Sequence, residues 1–220
     1  MSEIINQILQ LAEKQFTVTA KQSQTLAVGP MEMEARLFEI EGIGSLSTLS
    51  SGGAAGPMCM ETVVVNARYV DLPLLSFDGI LTMGSYTAMT EFYDTTLSGS
   101  FDQTPYQTVK DSLSALPDMD PGSNWYDSIQ FPCSFFKKGA AEEVSAPLNE
   151  AVLSVFSSFF AAAAACAKLS PEESEEKRRK GEDYVNGLFD KGGPTAEVFT
   201  KAMGAEAARA FYHETIFGTK

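Results

Sequence analysis

The chain has 220 residues, enough for one domain with a full hydrophobic core. Its net charge of −13 lacks the basic footprint that phosphate backbones require, so nucleic acid is not an expected partner and anionic membrane surfaces are disfavoured. Cys59, Cys133 and Cys166 are odd in number and without Cys-x-x-Cys or Cys/His spacing, which argues against a disulfide framework or a zinc site and for a reducing, cytoplasmic setting.

A single domain over residues 1–220 is expected, and no charged segment followed by an apolar run suggests a secretory leader at its start. From Ser2 to Gln15, apolar residues recur every three or four positions as in an amphipathic helix. Met31 to Ser50 reads as extended, with Glu39 and Glu41 alternating with Phe38, Ile40 and Ile43. The glycine-rich run from Ser50 to Pro57 is a flexible turn and not a phosphate loop, because neither a Lys-Ser/Thr pair nor a helix follows it.

Met58 to Gly84 is the stretch around which the rest is arranged. Val63, Val64 and Val65 stiffen the backbone toward a buried strand, Pro73 interrupts the ladder, and Phe77 to Met83 resumes it. With a period of two, Asp78, Ile80 and Thr82 share one face and Phe77, Leu81 and Met83 the other. Glu61 interrupts the valine strand as Asp78 interrupts its own. If the two strands pair antiparallel the acids line one cavity; the alternative is that both point to solvent from one-sided sheets.

Tyr86 to Thr96 reads as a further strand with Asp94 near its end, Tyr106 to Leu116 as a short helix between prolines, and Trp125 to Phe136 as an extended run. Ala151 to Ala167 is uncharged but short for a bilayer, and its serines leave a stripe of Val152, Val155, Phe156, Phe159 and Ala163, so a buried helix is expected. Ser170, Pro171 and Glu173 form a capping-box pattern that starts a new helix; the break at Gly192 to Pro194 ends it, and a last helix runs from Ala205 to Phe217. Strands first and helices last point to an α+β fold with a largely antiparallel sheet.

Little of the usual catalytic equipment is present. His213 is the only histidine, no Gly-x-Ser-x-Gly elbow accompanies it, and a structural role is expected; one His and scattered thiols give no metal site. The run Lys177, Arg178, Arg179 and Lys180 has two readings. It is a solvated helix face paired to Glu173, Glu175 and Glu176, or, with Lys137 and Lys138, a patch that docks an acidic partner.

The segment ETVVVNARYVDLPLLSFD resembles the sheet region of the ferredoxin-dependent bilin reductases and red chlorophyll catabolite reductases, where a valine-rich strand runs into Asp-Leu-Pro and an acid follows five residues after the proline; Asp71, Leu72, Pro73 and Asp78 keep that spacing. Trp125 with the strand start behind it, and Tyr184 to Phe217 with Pro194, Met203 to Ala207 and Ile216-Phe217, resemble the family in the same order. This resemblance implies a three-layer α/β/α sandwich with a central, largely antiparallel sheet flanked by helices. It implies that the chain reduces a linear tetrapyrrole with single electrons from external ferredoxin or flavodoxin, while the protein itself binds no redox cofactor.

On this reading Asp78 matches the family's proton-donating Asp, Glu61 is its partner, and Phe77 and Ile80 flank them as substrate contacts. Departures are visible. Glu61 stands where the family usually has His or Asn, Ser76 replaces a Gly, and the C-terminal Asp of the family falls near Gly193, leaving Asp190 as a substitute three residues earlier in a loop. A non-catalytic tetrapyrrole-binding or carrier protein of the same fold would show the same losses, and a third reading is an interaction protein with no pigment pocket.

Overall fold

The computed structural model describes residues 2–29, 31–51 and 58–220. Extended segments rich in β-branched and aromatic residues form one seven-stranded sheet among the described residues: β1 (Val18–Val28), β2 (Met31–Ile40), β3 (Gly44–Ser51), β4 (Met58–Asn66), β5 (Leu74–Thr82), β6 (Ser85–Tyr93) and β7 (Phe135–Ala140). Spatial order follows chain order and every pair is antiparallel. β5 turns into β6 through Met83 and Gly84, whose φ of 48° and 76° give the left-handed two-residue hairpin that matches strand twist.

The helices are α1 (Glu3–Glu13), α2 (Thr104–Ser112), α3 (Ala141–Ala165), α4 (Pro171–Asp190), α5 (Pro194–Met203) and α6 (Ala205–Phe211). Alternation along each strand splits the apolar residues into two clusters. Val63, Val65, Leu75, Phe77 and Phe92 pack with the apolar faces of α1, α2 and α3. Val64, Leu74 and Tyr93 pack with α4, α5 and α6. The fold is α+β, as expected from the order of elements.

Several boundaries differ from the sequence expectation for identifiable reasons. β1 is mostly solvent-exposed, so its polar pattern hides a strand that only its long pairing with β2 reveals. α3 begins ten residues before Ala151 and carries Pro147 within it, because Val144 and Leu148 already belong to its buried stripe. Its length and composition would allow it to cross a bilayer, yet that stripe lies in the first core cluster. Trp125–Ile129 is a 3-10 turn and the strand starts only at Phe135. The C-terminal region is α5, then α6, then a π turn at Tyr212–Ile216, instead of one helix from Ala205. The capping box of α4 forms as expected: the Ser170 hydroxyl accepts from Glu173 N at 3.2 Å and the Glu173 carboxylate accepts from Ser170 N at 2.8 Å. Residues 52–57 of the expected flexible turn lie outside the described residues.

Candidate active site

Register decides which acids meet. Thr62 of β4 stands opposite Asp78 of β5, so Asp78 shares the face of Thr62 and Val64, and the Thr62 hydroxyl donates to its carboxylate. On the next strand Glu91 stands opposite Ser76 and therefore lies on that same face, diagonal to Asp78 at a Cα spacing of roughly 7–8 Å. Glu91 is buried, and both the Tyr93 hydroxyl (2.6 Å) and the Gln130 amide (3.0 Å) donate to its Oε1.

The surroundings favour the protonated forms. Burial pushes the Asp78 carboxyl up to about 6, against the opposing pull of the Thr62 and Ser76 hydroxyls. Burial likewise pushes Glu91 up to about 7, with Asp78 adding a like-charge contribution and Tyr93 and Gln130 working the other way. Two carboxyls able to carry protons near neutrality thus sit side by side on one sheet face.

Above that face is a cleft with two lobes that share Asp78, Glu91, Tyr126, Pro194 and Thr195. Their atom-free spaces, open mouths included, are ≈ 630 and ≈ 800 Å³. The inner lobe is walled by Tyr93, Tyr184, Phe199 and Tyr212 from β6 and the C-terminal helices; the outer lobe by Met60, Ile80, Met89, Phe136 and the loop from Met119 to Asp127. The Tyr93 and Tyr184 rings lie 4.6 Å apart and Tyr126 meets Tyr93 edge-on at 5.6 Å. Trp125 fixes the mouth: its indole N–H donates to Gly192 O at 2.9 Å, and Gly187 of α4 has no Cβ because one would stand 2.4 Å from the indole ring. Among the described residues no three His, Cys, Asp or Glu side chains gather where a metal ion could be held.

Several expected site residues are elsewhere. Glu61 faces the opposite side of the sheet from Asp78, toward Ser2 and Tyr86, where burial raises its carboxyl. It therefore neither shares a proton with Asp78 nor lines the cleft. A parity offset causes this: Thr62 holds the position opposite Asp78, and Glu61 stands opposite Gly79. Phe77 is wholly buried in the first core cluster on that other face, so it contacts no ligand in the cleft, whereas Ile80 does line the outer lobe. Asp190 is the last residue of α4, not a loop residue, and its carboxylate binds the Arg209 guanidinium outside the cleft wall.

The basic run is mostly committed to internal contacts. Lys177 is 1 % exposed and donates to the carbonyls of Leu72 and Thr95; burial lowers its ammonium to about 8. Lys180 donates to Thr96 O, and Arg178 bridges Glu175 and Glu182. Lys137 is buried on Asp118. Only Arg179, with its side chain 68 % exposed beside Glu175, stays on offer from the run, so the expected docking patch does not form. His213 is structural as expected: its ring nitrogens face Thr219 Oγ1 at 2.7 Å and Asn186 Oδ1 at 3.1 Å.

Glu91 was legible in principle, since it interrupts the apolar strand YTAMTEFY as Asp78 interrupts its own, but its strand-mate across the ladder is set by hairpin register. Tyr93, Tyr126 and Tyr184 carry no comparable signal, because buried tyrosines more often belong to a core than to a ligand wall.

No family model matches the chain, and neither does any curated protein sequence. The fold is nevertheless similar to that in a crystal structure of selenomethionine phytochromobilin synthase from tomato in complex with biliverdin. The TM-score is 0.72 and the identity 14%, over 99% of this chain and 82% of that one. At that identity the likeness is one of fold.

Proposed function

We propose that this chain reduces a linear tetrapyrrole, drawing single electrons from reduced ferredoxin or flavodoxin and protons from Asp78 and Glu91. The observation that supports it most is the pair of acids, raised to about 6 and about 7, at the floor of an aromatic cleft. The fold likeness to a protein crystallised with biliverdin points the same way.

The chemistry asks little else of the chain. Saturating one double bond of a conjugated tetrapyrrole consumes two electrons and two protons. One-electron reduction makes the ligand basic, and Asp78, protonated and half-buried at the cleft floor, transfers a proton to it. After the second electron Glu91 supplies the other proton from one strand away. Tyr93 and Gln130 then stabilise the carboxylate that forms at Glu91, and both acids reload from solvent through the outer lobe. Tyr126 and Tyr184 offer ring faces against which a flat conjugated ligand stacks.

The test is anaerobic. The protein is mixed with biliverdin or with its dimethyl ester, then with ferredoxin, ferredoxin reductase and NADPH, and the visible spectrum is followed. Loss of one conjugated double bond should move the bound pigment's long-wavelength band to shorter wavelength. A bound pigment whose spectrum stays fixed would make the protein a carrier, and failure of both pigments to bind would leave the fold as the whole of the likeness.

A further inference from the structure

Both lobes of the cleft carry acids and no base. Four carboxyl groups line them, Asp78 and Glu91 at the floor and Asp120 and Asp127 at the exposed mouth, and among the described residues no Lys, Arg or His does. Residues 52–57 add no cation by sequence. Two bases flank the lining without joining it: Lys191 lies over the Trp125 ring at 4.8 Å, and Lys138, exposed, shares the face of Phe136 two residues further along β7. Biliverdin carries two propionate carboxylates. Bringing them to this wall removes water from two anions without a cation to replace it, next to further anions. The pyrrole N–H groups, in contrast, are donors that carboxylates accept well.

Resting on the tetrapyrrole reading above, we infer that the cleft selects a linear tetrapyrrole whose propionates are masked, as esters or amides, over one bearing free carboxylates. Specificity then comes from repulsion of the charged analogue as much as from attraction of the neutral one.

Equilibrium binding of biliverdin and of biliverdin dimethyl ester, each titrated into the protein at low salt without an electron donor, is the experiment. The ester should bind about 10-fold more tightly or better, and added salt should narrow the gap. Asp120→Lys, on an exposed loop, should tighten biliverdin several-fold relative to the ester. Biliverdin binding as tightly as the ester would overturn the inference while leaving the tetrapyrrole reading intact. An ester preference that Asp120→Lys does not reduce would trace to the added methyl groups and overturn it too. If neither pigment binds, the tetrapyrrole reading itself falls.

Discussion

Asp78 and Glu91 are held where the folded chain binds protons that the unfolded chain has released. Their ordinary values are 3.8 and 4.5, and the fold raises them to about 6 and about 7. A carboxyl raised in this way stabilises the fold least when it is ionised. The apo protein should therefore lose stability as pH climbs from about 4 to above 7, by on the order of 3 kcal/mol for each acid. Glu91→Gln should flatten that decline and raise the urea midpoint at pH 8; a decline as steep as in the parent would show that Glu91 is not the group responsible. Turnover should respond in the same window, with kcat falling as the donors deprotonate above about pH 7. The hydroxyl of Thr62 belongs to this account as well, since with that of Ser76 it keeps Asp78 lower than burial alone would.

At the scale of elements, α4 ties the site to the rest of the fold. Its first half is anchored by Lys177, whose ammonium caps the Leu72 and Thr95 carbonyls, and its second half delivers Tyr184 to the cleft. Lys177→Met should cost about 1–3 kcal/mol, because it leaves buried acceptors without a donor. Arg179→Ala, two residues away on the exposed side, should stay within ~0.5 kcal/mol. Denaturant midpoints for the two variants separate an anchoring run from a docking patch, and equal small effects would restore the latter. Such a distinction was invisible in the sequence: i,i+4 spacing places four bases on a helix, but burial of one of them depends on the turn after β4 reaching across to it. The same holds for the acids. Period-two alternation correctly put Asp78 and Ile80 on one face, and the Ser170 capping box correctly started α4. Whether Glu61 or Thr62 met Asp78 hinged on a one-residue register that the hairpin sets, and a single slip exchanges every side chain between faces. β1 escaped for the opposite reason, since its exposed surface left no apolar alternation to read.

For the whole molecule, the sheet divides labour between its faces. One side, covered by α1, α2 and α3, is a closed apolar core that takes up Phe77 with Val63 and Val65 of β4. The other, under α4, α5 and α6, is interrupted by an open cleft where buried acids replace packing, a stability cost of the kind functional sites carry. A net charge of −13 spread over the chain gives it no general affinity for anions, which accords with a cleft that has no basic wall. The central claim is that the open face transfers protons through Asp78. It is tested most directly by single-turnover spectra of Asp78→Asn beside the parent, with masked pigment bound and reduced ferredoxin added anaerobically. The account predicts that the variant binds pigment comparably and its spectrum stays fixed while the parent's shifts; a variant that converts its pigment at the parent's rate would contradict it.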